Sequence, residues 1–427
     1  MNIKGILLLY HHPLAANAPT IMEHVDAFEQ HSRFRIFKVN TELGFPAALA
    51  DMSFEIIVLH YSLFALLPFY LNRHFLSYIK KSTACKVAFF QDEHRYCPQR
   101  FDFINSHGID CIYTLVEPDY FAATYQKYTR VQKIIYTLPG YVSDALINNA
   151  AAMTRPWKTR TVDIGYRARQ LPVHMGEGAQ EKHLIGQRVN ELARGCGLRL
   201  DIATEEHHRI YGDAWFQFLS NCRAVLGVEA GATIFDLDDR VYDAYSLLVE
   251  AGHSPASQAA YNAIAGSCEG SVYYRTISPR HFEAAAFRVV QILFEGNYSG
   301  IMQPMVHYIP LKKDFSNFQS VMEMLQDETL CQVLTETAHA DMIAAGRYSY
   351  QNFIAAFDDG LERAGLFPCP DSRDTARIAQ LLERGMRFRK IRERWRSLLH
   401  RPFPGRRALG LALKPALKKI GLYVERP

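Results

Sequence analysis

The sequence contains no C-x-x-C pair: its eight cysteines stand singly at positions 85, 97, 111, 196, 222, 268, 331 and 369. That spacing argues against a zinc ribbon or a disulfide framework and predicts reduced thiols in a cytoplasmic protein. No apolar run approaches the roughly 20 residues that a membrane-spanning helix needs. Residues 6–10 are apolar but only of strand length, and His11-His12-Pro13 ends them too soon for the hydrophobic segment of a secretory signal. No G-x-G-x-x-G follows this first run, so the glycine fingerprint of dinucleotide-binding oxidoreductases is missing.

What is present is an ordinary globular composition, 48% hydrophobic and 22% charged. At 427 residues the chain is too long for one ordinary core, which predicts two domains. The net charge of +4 hides an asymmetry: residues 384–427 hold 14 Lys and Arg against two acids, so this tail carries +12 and residues 1–383 carry −8. Within it Phe388, Ile391, Trp395 and Leu398 recur at helical spacing among Arg387, Arg389, Lys390, Arg392, Arg394 and Arg396. Such a face suits an anionic bilayer better than a nucleic-acid backbone. A terminal helix packed on the body is the plainer alternative.

Residues 1–150 repeat a strand-then-helix rhythm, with strands over 3–10, 34–40, 54–60, 86–91, 109–115 and 133–138 and helices over 19–30, 72–81, 98–106 and 118–129. This predicts a parallel, doubly wound sheet. Ligands of such sheets sit beyond the carboxyl ends of the strands. That rule picks out His11 and His12, His60 and Tyr61, and the run Gln91-Asp92-Glu93-His94-Arg95. A titratable cluster there is what deprotonating an attacking hydroxyl requires, although each member alone reads as a core histidine or a helix cap. Residues 140–160 form a joint, and the rhythm restarts at Val162 with strands over 198–203, 223–228, 289–294 and 307–311 and closing helices over 317–326, 328–344 and 350–364.

The most informative stretch is Ser278 to Gly296, SPRHFEAAAFRVVQILFEG. Ser278 followed by Pro279 is helix-entry chemistry, with Ser as N-cap, Pro at the first helical position and Glu283 in the first turns. Free N–H groups at a helix start favour an anion, and a carboxylate there either accepts sugar hydroxyls or merely complements the helix dipole. Residues 280–286, RHFEAAA, resemble the R-x-F-E-x-x-A segment in the C-terminal domain of bacterial glycosyltransferases of the GT-B type, in particular the group with CgeB-like proteins and O-antigen or capsule transferases. The resemblance extends over residues 162–357 and includes His307–Asn317, similar to the family's H-Y-x-x-L-x-x-D-F-x-N segment. Glu229-Ala230-Gly231-Ala232 is similar to the first half of an E-x7-E element with Glu283 as its second glutamate, but here 53 residues lie between the two. That insertion carries Asp236, Asp238 and Asp239, read as a solvated loop or helix cap before a metal site, and a helix over 241–251.

The resemblance implies an α/β chain of GT-B class, with two Rossmann-like doubly wound domains facing a cleft: an acceptor domain over 1–150, a donor domain over 151–365 and the basic amphipathic tail over 366–427. It implies sugar transfer from a nucleotide-diphosphate sugar to a hydroxyl of a glycan or lipid-linked glycan, in surface polysaccharide assembly at the cytoplasmic face of the membrane. The donor is then a co-substrate, with no further cofactor, metal or nucleic acid. Glu283 would hold ribose, Glu229 the donor sugar, and the helix start at Ser278 with either Arg167 or Arg169 the diphosphate, with Lys182 a third choice; Arg280 counts among the donor-binding residues. His11, His12, Asp92 or Glu93 would receive the acceptor proton if configuration inverts. A GT-B-shaped scaffold without chemistry is the rival reading. A doubly wound oxidoreductase is weakened by the missing glycines.

Overall fold

The computed structural model describes residues 2–13, 19–252, 254, 261–262, 268–369, 376–383 and 386. The cationic face expected beyond Met386 lies outside them. Six parallel strands form the first lobe: β1 (Asn2–Tyr10), β2 (Ile36–Asn40), β3 (Ser53–Leu59), β4 (Cys85–Phe89), β5 (Cys111–Thr114) and β6 (Lys133–Tyr136), in the order β2-β1-β3-β4-β5-β6. Their residues are apolar on both faces because helices cover both. Leu7, Leu9, Ile57 and Leu59 pack with Phe75 and Ile79 of α2 (Arg73–Lys81) and Phe101 of α3 (Cys97–His107), whereas Ile6, Leu8, Ile56 and Val58 pack with Val25 and Phe28 of α1 (Pro19–His31). The helix expected over 118–129 is replaced by a 3-10 turn and the single-turn α4 (Tyr125–Tyr128), because Tyr125 turns inward and donates its hydroxyl to Glu93.

After α5 (Asp144–Met153), capped by Ser143, the second lobe begins. Its parallel sheet comprises β7 (Val162–Arg167), β8 (Leu200–Ala203), β9 (Cys222–Gly227), β12 (Val290–Phe294) and β13 (Ile309–Leu311), ordered β13-β12-β9-β7-β8. Around it lie α6 (Glu177–Leu192), α7 (Asp213–Asn221), α9 (Pro279–Ala286), α10 (Phe318–Gln326) and α11 (Glu328–His339). In both sheets the first strand lies between the second and the third, so each has a switch point at the carboxyl ends of its first and third strands.

The closing helix α12 (Tyr350–Glu362) returns to the first lobe, as the resemblance implied. Phe353, Ile354 and Phe357 join the cluster of Ile6, Leu8 and Phe28, and buried Asp358 accepts the Ser32 hydroxyl and the Arg33 N–H. The segment between β9 and α9, expected to be a loop and a helix, contains α8 (Arg240–Glu250) and also an antiparallel pair, β10 (Ala230–Ile234) and β11 (Glu269–Thr276). Its Ala232, Phe235, Val272 and Tyr274 are buried in the first lobe's core.

The joint is held by Arg160, only 3% exposed, whose guanidinium donates to the carbonyls of Arg155, Cys222, Phe287 and Arg288 at 2.8 to 3.1 Å. Burial pushes its pKa down to about 10. Arg160→Met strands those carbonyls and is expected to lower folding stability by about 3 kcal/mol, read as a fall in the urea midpoint. An unchanged midpoint would show that the guanidinium does not hold the joint.

Candidate active site

A cavity of about 500 Å3 opens at the second lobe's switch point, lined by Tyr166 and Arg167 at the end of β7, Gly227 and Val228 at the end of β9, and Ser278, Arg280 and His281 at the start of α9. Asp92, His94 and Arg95, just past β4, reach it from the first lobe, so both lobes build it. A Cβ at Gly227 would fall 2.7 Å from Leu293 Cδ2 and 3.0 Å from His281 Cε1, so glycine is what lets α9 sit against the end of β9. His281 is buried, with Nδ1 2.9 Å from Gln291 Oε1 and Nε2 3.3 Å from the Val228 carbonyl. Burial pushes its pKa down to about 4, so the ring is a neutral strut at physiological pH. Ser278 caps α9 as expected, accepting the Arg280 N–H, with Pro279 in the first turn.

Among the described residues six cationic side chains line this cavity, Arg95, Arg167, Arg169, Lys182, Arg209 and Arg280, against one carboxylate, Asp92; of the six, Arg167 is paired with Asp201 and Arg169 and Arg209 with Glu206, acids that do not line it. The imbalance fits an anionic ligand carrying more than one charge. Burial, then the positive fields of Arg280 and Arg275, push the Lys182 ammonium down to about 8, opposed by Asp92. The arginines differ in how committed they are. Arg167 donates to Asp201 Oδ1 at 2.6 Å and to the Asp201 carbonyl at 2.8 Å, and lies 4.5 Å from the centroid of the Phe218 ring. Arg280 lies over the Trp215 ring at 4.7 Å and donates to the Arg167 carbonyl. Arg169 is half exposed and stands 3.6 Å from Glu206, which leaves it able to turn inward.

Several expected residues stand elsewhere. Glu283 is in the second turn of α9 and does not line the cavity; its carboxylate accepts the Trp215 indole N–H at 2.7 Å, and Trp215 forms the wall. Burial raises its pKa against the pull of that hydrogen bond and of Arg280. Glu283 and Glu23 line a separate small pocket on the seam between the lobes. Glu229, expected on the donor sugar, is 7% exposed, and its Oε1 accepts the Tyr273 hydroxyl at 2.9 Å and the Tyr298 N–H at 2.8 Å. Its oxygens thus anchor the loop after β12, and a Cβ at Gly296 would come within 2.7 Å of its Oε2.

Of the four expected bases only Asp92 lines the cavity. His11 stacks on Tyr70 with centroids 3.7 Å apart and places Nδ1 3.2 Å from Thr41 Oγ1. Its main-chain N–H donates to Ser62 Oγ, which also meets His60, and His60 meets His24. Burial lowers the pKa of His11 to about 4 and of His24 to about 3, so this network fills the first lobe's own switch point with neutral, weakly basic rings. The His12 N–H is bonded to Asn40 Oδ1 at 3.1 Å. Glu93 is fully buried: its carboxylate accepts the Leu115 N–H at 2.8 Å, the Thr114 hydroxyl at 2.5 Å and the Tyr125 hydroxyl. Those bonds make it a structural group of the first lobe, which corrects its reading as a base. Asp236 and Asp239 are buried, not solvated; they accept the N–H groups of Tyr242 and Tyr96, each at 2.8 Å. Among the described residues no three His, Cys, Asp or Glu side chains are grouped to hold a metal. His94 and Arg95, in the run picked out after the fourth strand, line the cavity, whereas Trp215 and Arg209 were missed, because neither an aromatic in an amphipathic helix nor a lone arginine signals a cavity wall.

No family model matches the chain, and no curated protein matches it. Solved structures do. An alpha-glucosyltransferase in complex with UDP-glucose and DNA containing an abasic site is similar over 84% of this chain and 99% of its own, at 9% identity and a TM-score of 0.48. HepE from Anabaena, in complex with UDP and glucose, is similar over 84% of this chain and 100% of its own, at 10% identity and a TM-score of 0.46. TarM is similar over 72% of this chain at 11% identity and a TM-score of 0.41, and the match spans about half of TarM, 54% of its length. The two parallel doubly wound sheets facing a shared cleft, with the last helix returned to the first lobe, constitute a GT-B fold.

A bound diphosphate would raise the Lys182 pKa, so binding takes up a proton wherever the free lysine is neutral. Affinity for UDP is therefore expected to fall, by up to about tenfold per pH unit, as pH rises through about 8, with proton uptake visible by calorimetry in buffers of different ionisation enthalpy. Lys182→Met should weaken binding about tenfold at pH near 7 and remove that pH dependence. A wild-type affinity that stays flat up to pH of about 9 would contradict this account of Lys182.

Proposed function

We propose that this chain transfers a sugar from a nucleoside-diphosphate sugar to a hydroxyl of a glycan or lipid-linked glycan. The observation that carries the reading is the set of six cations facing one carboxylate at the second lobe's switch point. In the transfer, the bond from the anomeric carbon to the diphosphate oxygen breaks, its electron pair leaves with the diphosphate, and a bond to the acceptor oxygen forms. The protein's main task is then to receive the negative charge that develops on the leaving group. We assign that task to Lys182 of α6, Arg169 just past β7 and Arg280 in the first turn of α9, with Ser278 fixing the helix end and Arg167 bracing the shelf from Asp201. Guanidinium groups suit this task because their paired N–H donors match phosphate oxygens.

Trp215, stacked under Arg280 and held by Glu283, offers a flat wall for the nucleoside, which makes Glu283 a positioning group behind the nucleotide. Asp92 is the group we assign the acceptor proton, since it alone among the described side chains of the cavity is a carboxylate and it enters from the opposite lobe. The donor serves as co-substrate, and the cations already present neutralise the diphosphate. The +12 of residues 384–427 supports a setting on an anionic membrane surface at the cytoplasmic face, where lipid-linked precursors of surface polysaccharides are extended. No described helix is long and apolar enough to cross a membrane.

A thermal-shift screen with UDP-, GDP-, TDP- and CMP-linked sugars tests the reading. At least one diphosphate sugar should raise the melting temperature, and Arg280→Ala should abolish that rise. Asp92→Asn should keep the rise while lowering turnover at least about 100-fold. Binding without turnover in the wild type would favour a scaffold, and no binding of any nucleotide would end the proposal.

A further inference from the structure

The loop that carries Asp92, His94 and Arg95 into the cavity belongs to the first lobe, yet it is held by the second lobe's insertion. The Glu93 N–H donates to the Tyr274 hydroxyl at 3.0 Å, the His94 carbonyl accepts the Asp236 N–H at 2.8 Å, and the Tyr96 N–H donates to Asp239 Oδ1 at 2.8 Å. Between these bonds, Arg100 donates to the carbonyls of Glu93 and Arg95 at 3.0 and 3.1 Å. The loop is bracketed by two non-glycine residues with left-handed backbones, Asp92 at φ 53° and Tyr96 at φ 58°. Such conformations persist only where surrounding contacts enforce them. The first lobe supplies Arg100 and the bonds to the Glu93 carboxylate, and the insertion supplies the rest, from Tyr274 on β11 and from Asp236 and Asp239 just before α8.

The insertion is also anchored firmly enough to do this. Phe235, Val272 and Tyr274 are at most 3% exposed and pack in the cluster of Leu7, Leu9 and Phe90, on one face of the first sheet. Helix α12 packs against Ile6, Leu8 and Phe89 on the other face. The second half of the chain therefore grips the first sheet from both sides, and a rotation of the lobes about either grip is resisted by the other. Ala230 and Gly231, at the root of β10, line the cavity themselves. The insertion thus runs from the cavity wall of one lobe into the core of the other.

We propose that the insertion is the positioning element of this site: Tyr274 and Asp239 hold the Asp92–Tyr96 loop against the second lobe, so that the acceptor side of the cavity is assembled before any ligand binds. The functional part rests on the glycosyl-transfer reading. Tyr274 and Asp239 are positioning residues that act through the loop, which carries Arg95, and leave Lys182, Arg280 and Arg169 on the second lobe untouched.

The test uses the full chain with Asp239→Ala, Asp239→Asn and Tyr274→Phe, and UDP and UDP-glucose as probes. In Asp239→Ala, hydrogen exchange of the amides of 93–96 should rise at least tenfold, while UDP affinity by calorimetry stays within about twofold. UDP release from UDP-glucose should lose at least tenfold in kcat with KM within about twofold. Asp239→Asn keeps an oxygen that accepts the Tyr96 N–H and should recover most of both losses. Tyr274→Phe should speed exchange at Glu93 above all. Unchanged exchange in Asp239→Ala would overturn the proposal. So would faster exchange with an unchanged kcat, or a parallel loss of UDP affinity, which would mark a general stabilising role. A wild-type chain that binds no UDP would count against the donor reading, and the exchange measurements would still decide whether the insertion holds the loop.

Discussion

Like charges gathered in one cleft repel each other. Two unit charges 4 Å apart at an effective dielectric of 20 repel by about 4 kcal/mol, a large share of a domain's net stability. Elsewhere in this molecule cations are paired: Arg199 and Arg223 meet Asp163 at 2.8 and 3.1 Å, and Arg275 meets Glu181 at 2.6 Å. At the second lobe's switch point Arg167 is likewise paired with Asp201 at 2.6 Å, and Arg169 and Arg209 with Glu206 at 3.6 and 2.8 Å, but those acids do not line the cavity, and burial with the fields of Arg280 and Arg275 pushes Lys182 down to about 8. On the proposed function, a bound diphosphate would relieve the same repulsion, and relieve it further as charge builds on a departing group. The rest of the architecture serves to keep those side chains together and to bring Asp92 opposite them.

Each half of the chain contributes a different kind of wall. The second lobe supplies charge, ordered by the short helix α9, its Ser278 cap and the close approach that Gly227 permits. The first lobe supplies one carboxylate and one histidine on a loop whose backbone is bound by the other lobe's insertion. Its own switch point holds the network of His11, His60 and His24, packed with Tyr70 and Tyr61, and is filled by those rings.

Much of the fold was legible because strand and helix periodicity are local. The six strands of the first sheet and the five of the second all fall where alternating or continuous apolar runs placed them, and α9 begins at the serine and proline that announce it. The pair β10 and β11 was not legible: its strands lie between different lobes, so the residues that bury Val272 and Tyr274 come from distant parts of the chain. The same limit governs the site. Asp92 and Glu93 are adjacent carboxylates with the same local appeal, yet one lines the cavity and the other is consumed by Thr114, Leu115 and Tyr125. Glu283, expected on the ribose, sits on α9 but behind Trp215, which lines the cavity in its place, and nothing local reveals that exchange.

The most direct measurement is a crystal structure of the chain with UDP bound. The account predicts the diphosphate at the start of α9, with oxygens within about 3 Å of Lys182 Nζ and of the Arg280 guanidinium, and Asp92 across the cleft from them. A nucleotide bound away from Lys182 and Arg280, or seated at the first lobe's switch point beside His11 and His60, would contradict it.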